Sequence, residues 1–116
     1  LLTTVEIDKV FLVQVVDGER LAAPLLKGHE WYVEEQPSRM SWSRNARLFP
    51  FEQELGGYLP VVDIAKAIFD LGFEGWVSME LFSRTTTDSD PRTPEEHAKR
   101  GMRSWQKLVQ ELELKC

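Results

Sequence analysis

The chain has 116 residues, 42% hydrophobic and 28% charged, ordinary values for a soluble globular piece of about one small domain. Its net charge of -5 argues against a general attraction to nucleic-acid phosphates, and no apolar run approaches the roughly 18 residues of a membrane span. The lone cysteine, Cys116, excludes an internal disulfide and a thiolate metal cluster and fits a reducing compartment, here taken as the cytoplasm.

Residues 10–16 read V-F-L-V-Q-V-V, an almost wholly apolar, β-branched run that predicts a strand buried on both faces. Residues 22–60 then form a long irregular stretch punctuated by Pro24, Gly28, Pro37, Pro50, Gly56, Gly57 and Pro60, and loops of that length are often functional. A helix is predicted over 61–71, where Val61, Ile64, Ala65, Ile68 and Leu71 share one face. Pro60 stands before it, and Gly72 ends it as a left-handed cap. A second buried strand spans 76–81. Thr93-Pro94-Glu95-Glu96 reads as a capping box that opens a helix to about 112, with Ala98, Gly101, Met102, Trp105, Leu108, Val109 and Leu112 on its apolar face.

The order is strand, loop, helix, strand, loop, helix, which predicts an α/β fold with parallel strands. Two apolar parallel strands cannot cover themselves, because such strands need neighbours on both edges and layers on both faces. Residues 1–116 are therefore expected to be part of a larger fold, and a first residue of Leu1 rather than Met points the same way. A small independent α/β domain or an obligate oligomer is the alternative.

Alternation along a strand sends residues i and i+2 to one face. Phe11, Val13 and Val15 are then expected to face the helices, as are Val77, Met79 and Leu81. Gln14 and Glu80 point the other way, each near the carboxyl end of its strand, the catalytic end of a parallel barrel. Both carry hard oxygen donors, suited to magnesium or manganese rather than zinc. The competing reading of Glu80 is a structural salt bridge with Arg20 or Arg47. Arg20, six residues after Gln14, is a candidate for holding a substrate carboxylate by paired hydrogen bonds. Arg39, Arg44 and Arg47 lie close together around Trp42, either as a loop closing over an anionic ring or as a solvated surface paired with Glu34, Glu35, Glu52 or Glu54. Asp17 and Glu19 either orient Arg20 or face water. His29 is a weaker acid–base candidate than a surface histidine, His97 reads as structural and Gly101 as a close-packing contact. No P-loop, dinucleotide fingerprint or HExxH motif is present.

Taken together, F-L-V-Q-V-V-D-G-E-R at 11–20 and F-E-G-W-V-S-M-E-L-F at 73–82 resemble the seventh and eighth strands of the xylose-isomerase-like TIM-barrel superfamily. Sugar epimerases of that group carry a histidine where Gln14 stands, with an arginine six residues on. The glutamine is similar to the 3-dehydroshikimate dehydratase branch. The stretches M-S-W-S-R-N-A-R-L-F-P-F-E-Q-E-L-G-G-Y-L-P at 40–60 and E-E-H-A-K-R-G-M-R-S-W at 95–105 resemble the fungal quinate-pathway members of that branch.

The resemblance implies the C-terminal portion of a (β/α)8 TIM barrel, about two βα units, with an active-site loop over about 22–60. It implies a lyase of quinate and shikimate catabolism that dehydrates 3-dehydroshikimate to protocatechuate. The metal is magnesium or manganese, with cobalt as a further candidate, held by Gln14 and Glu80; Arg20, Arg44 and Arg47 bind the substrate. The remaining metal ligands, a Glu and an Asp, and the acid–base residues are expected on earlier strands, so the catalytic residues are not in this chain. It should then bind metal weakly and not turn over alone. The expected partners are a small anionic substrate, the remainder of the barrel and, as an option, a second copy of the protein; neither nucleic acid nor membrane is expected. A sugar isomerase or epimerase, or a non-catalytic module reusing the fragment, are the alternatives.

Overall fold

A computed structural model describes residues 4–115; Leu1 and Cys116, on which the expectations about the chain start and the lone thiol fall, lie outside the described residues. Strand β1 (Leu12–Gln14) and strand β4 (Trp76–Ser78) run parallel and side by side, in the register Leu12↔Trp76, Val13↔Val77, Gln14↔Ser78. Both are shorter than the apolar runs that predict them, although the Val15 N–H still donates to the Ser78 carbonyl at 2.8 Å. Helix α2 (Val61–Asp70) lies between them in the chain and α3 (Thr93–Glu111) follows β4. The described residues thus form a mixed α/β unit with one parallel strand pair, not a closed barrel.

The stretch 22–60 is less irregular than its prolines and glycines suggest. It contains helix α1 (Ser38–Asn45) and strand β3 (Arg47–Leu48), which pairs antiparallel with β2 (Asp17–Gly18). This ladder adds an antiparallel element to a fold expected to have only parallel strands.

The core forms where one face of the parallel pair meets the two long helices. Val13, Val15, Ala65, Phe73 and Leu108 make it, with Val61, Ile68, Val77 and Trp105 packed around them. Leu108 is wholly buried, a burial that contributes about 2 kcal/mol. Val13 and Val15 face the helices as alternation requires, but Phe11 does not: it lies outside the strand proper and is 81% exposed. Ile64, Ala98 and Met102 are likewise exposed, because the packed stripe on each helix is narrower than its apolar stripe. Trp105 and Leu108 carry the contact in α3, and Gly101 lets the helix approach Phe49, whose ring would lie 3.1 Å from an added Cβ. The other face of the parallel pair has no cover within the described residues, and Leu12 and Trp76 are exposed there.

Helix ends follow the sequence in part. Gly72 takes φ +88° beyond α2, the expected left-handed cap. The capping box at Thr93 does not form: Arg92 holds the N-cap position, and no side chain caps the helix. Thr93 is already helical, so its hydroxyl cannot sit beneath the free N–H groups. Asp90 instead turns the chain by accepting the Arg92 N–H at 2.9 Å, and the carboxyl is held below the usual aspartate range chiefly by its hydrogen bonds from Arg92.

The loop between β1 and α2 is pinned from within by Asp17. Its buried carboxylate accepts the N–H groups of Gly18 (2.7 Å), Tyr58 (3.2 Å) and Leu59 (2.9 Å). Neither Asp17 nor Glu19 orients Arg20: the first is a loop anchor, and the second pairs with Arg84 at 2.6 Å. Asp17→Ala strands three donors, so an unfolding titration of the native protein should show a loss of about 3 kcal/mol.

Candidate active site

The parallel register fixes where the two candidate ligands emerge. Gln14 closes β1, and Glu80 follows β4 by two residues. Met79, just past the strand, turns towards α3, with its sulfur 3.9 Å from the Ser104 hydroxyl, whereas Glu80 beside it meets Arg47 of β3. Gln14 lies on the face opposite the buried Val13 and Val15. Gln14 thus stands at the carboxyl end of β1, and Glu80 lies two residues past the carboxyl end of the neighbouring β4.

Glu80 is not solitary. The Arg47 Nη1 donates to Glu80 Oε2 at 2.9 Å and to the Glu80 carbonyl at 3.3 Å. The salt bridge weighed for Glu80 is thus present, with Arg47 as partner. Arg47 is held in turn by Ser43, whose hydroxyl accepts from Nε and Nη2 at 3.1 and 2.9 Å, and by the Phe82 ring, 4.9 Å away. Glu80 Oε1 and the Gln14 amide have no partner among the described residues, so both are free to act as hard oxygen donors. Among the described residues no three His, Cys, Asp or Glu side chains come together. Two oxygen donors are well short of the six or more that magnesium or manganese takes, so any such ion would need further ligands beyond Gln14 and Glu80.

The arginines line two clefts, one of which includes Arg47, the partner of Glu80. One, of about 450 Å³, is lined by Arg20, Arg39, Trp42 and Tyr58 among others, with Arg20 lying 4.5 Å over the Tyr58 ring. The other, of about 990 Å³, includes Arg39, Arg44, Arg47, Trp42 and Phe82. Arg39 and Trp42 belong to both, and neither lining contains an acidic side chain. Among the described residues these arginines make no pair with Glu34, Glu35, Glu52 or Glu54: Arg44 donates to Gln36 at 2.9 Å, Glu34 meets Lys27, and Glu52 meets Arg100. The structure therefore brings Arg44 and Arg47 to one cleft and Arg20 to its neighbour.

Several supports were not legible in the sequence. The Trp42 indole N–H donates to the Glu19 carbonyl at 2.8 Å, and its ring lies where a side chain at Gly18 would project. Arg84 ties the end of the β4 segment to Glu19 and lies 4.9 Å over the Trp31 ring. The Ser43–Arg47 contact spans the end of α1 and the start of β3, so no helical spacing announced it. Helix α1 itself was missed because it has no apolar periodicity by which to recognise it. His29 Nδ1 accepts the Trp31 N–H at 3.1 Å, a local turn contact. His97 is structural as expected, bonding the Thr93 carbonyl at 2.7 Å and the Thr85 hydroxyl at 2.9 Å. No helix of the described residues is long and apolar enough to cross a membrane.

No family model matches the chain. No solved structure matches it either. Over 115 residues, 98% of its length, the chain is 58% identical to the 3-dehydroshikimate dehydratase of Neurospora crassa, and it spans 32% of that protein's length.

Proposed function

We propose that this chain supplies the last two strands and the arginine-bearing loop of a TIM-barrel 3-dehydroshikimate dehydratase acting in quinate and shikimate catabolism. The observation that carries the proposal is the pairing of two strand-end oxygen donors, Gln14 and Glu80, with neighbouring clefts lined by arginines and no acid. The likeness to the Neurospora dehydratase supports it.

Gln14 and Glu80 would hold a divalent ion, magnesium, manganese or cobalt, together with ligands from elsewhere in the full-length protein. When bound, that ion supplies Lewis-acid polarisation of the substrate ketone and a counter-charge for the enolate. Arg44 and Arg47 would bind the substrate's anionic oxygens from one cleft and Arg20 from the next, fixing the ring by charge-assisted hydrogen bonds. Trp42 and Phe82 offer apolar surface for the ring and reduce its contact with water. The base that removes the proton next to the ketone, and the acid that assists departure of the hydroxyl as water, are assigned to the rest of the barrel.

The test is product identity. The full-length protein with manganese is expected to release protocatechuate from 3-dehydroshikimate, followed by its absorbance. Interconversion of ketose epimers with no protocatechuate would overturn the proposal in favour of a sugar epimerase, and no turnover of either substrate would favour a non-catalytic module.

A further inference from the structure

We propose that Arg47 sets the cation affinity of Glu80 and couples it to occupation of the neighbouring cleft by an anion. The inference rests on the reading of Glu80 as a metal ligand.

Arg47 is a held charge rather than a loose surface partner. Its side chain is 24% exposed, and three of its nitrogens make hydrogen bonds, two to Ser43 Oγ and one to Glu80. Ser43 and Arg47 come from α1 and from β3 just beyond it, so the guanidinium is positioned by backbone already fixed by the β2–β3 ladder. Of the two carboxylate oxygens it engages Oε2, which leaves Oε1 without a partner among the described residues. A cation arriving there meets a fixed positive charge that binds the same carboxylate.

The effect of one unit charge on a divalent ion at ~6 Å in a water-like dielectric is roughly tenfold in affinity. An anion bound in the cleft of Arg39, Arg44 and Arg47 offsets that charge. Cation and anion then each strengthen the other's binding, by the reciprocity that any such coupling obeys. Arg47 is in this account a positioning residue for Glu80 that also discourages a bare cation from staying without substrate.

The experiment is a calorimetric Mn2+ titration of the full-length protein, with and without shikimate. That probe has the carboxylate and ring hydroxyls but no ketone through which to lose water. Arg47→Met is expected to tighten Mn2+ binding roughly tenfold without shikimate. It should also remove most of the gain that shikimate gives the native protein. Arg47→Gln, which keeps a hydrogen-bonding group, should repeat the effect if Arg47→Met folds poorly. Arg47→Lys, which retains the charge, should stay near the native affinity. Unchanged or weaker Mn2+ binding in both neutral variants, or no shikimate gain in the native protein, overturns the inference alone, provided that Glu80→Gln weakens Mn2+ binding. If Glu80→Gln leaves Mn2+ binding unchanged, the ligand reading of Glu80 falls and this inference falls with it.

Discussion

Glu80→Gln in the full-length protein is expected to lower protocatechuate formation about a hundredfold or more, a loss larger than that of a residue acting only behind a metal ligand. The substitution keeps the shape of the side chain and removes its charge, so the number of oxygen donors stays nearly the same while the electrostatic attraction for a divalent ion goes. Glu80 is half-exposed, and its pairing with Arg47 is a rim contact worth little to stability. Thermal unfolding without metal should therefore move little. That contrast separates the two readings of the residue. A protein that melts near the native temperature but turns over poorly supports a ligand; one that keeps full activity leaves Glu80 as the salt-bridge partner of Arg47 and nothing more.

Arg100→Met is expected to cost stability rather than chemistry, about 3 kcal/mol in an unfolding titration. Arg100 binds both oxygens of Glu52, at 2.7 and 2.8 Å, and Glu52 is buried. Glu52 also accepts the Phe49 N–H at 2.9 Å, while the Ser104 hydroxyl donates to the Pro50 carbonyl at 2.7 Å. These bonds hold a turn in which Phe51 takes φ +69°, a left-handed conformation that costs a bulky residue about 1 kcal/mol or more. Without Arg100 the Glu52 carboxylate is left buried and unpaired, and the strained turn loses its hold on α3. The Glu52 hydrogen bonds raise the Arg100 pKa above its ordinary value. The contribution of the pair on the arginine side is thus complete below the arginine range and is lost only as strongly alkaline pH passes through it. If the loss is much smaller than expected, the loop is anchored mainly by Asp17 and the β2–β3 ladder.

The two anchors lie on either side of the arginine-bearing segment, and this bears on how the proposed site works. A stretch read from its punctuation as a long loop has its own helix, its own ladder and two buried carboxylates pinning it. Arg44 and Arg47 therefore stand on prearranged backbone. Fixed donors hold a bound anion without reordering themselves, which is what the proposed site needs in order to orient the substrate ring.

Local rules made part of this legible. An apolar β-branched run located β1, and period-2 alternation put Gln14 on the face away from the buried Val13 and Val15. The 3.6-residue period located α2 and α3, and Gly72 marked the end of α2. Each of these depends on residues close together in the chain, so each could be read without coordinates. The same rules overreached at the edges: Phe11 and Met102 continue an apolar pattern past the point where anything within the described residues covers them.

By itself the sequence determined the βα order, the two long helices and the place of Gln14 at the end of β1, because propensity and periodicity act over a few residues; it ran β4 past Ser78 to include Glu80. The tertiary structure alone decided which charges meet. Arg47 chose Glu80 across 33 residues, Arg84 chose Glu19 across 65, and Arg100 chose Glu52 across 48. Within a helix, ion pairs follow its period, as Lys66–Asp70 and Lys99–Glu95 do, but pairing between distant segments carries none. Its partners are set by which backbone segments the core and the β2–β3 ladder bring within a few ångströms.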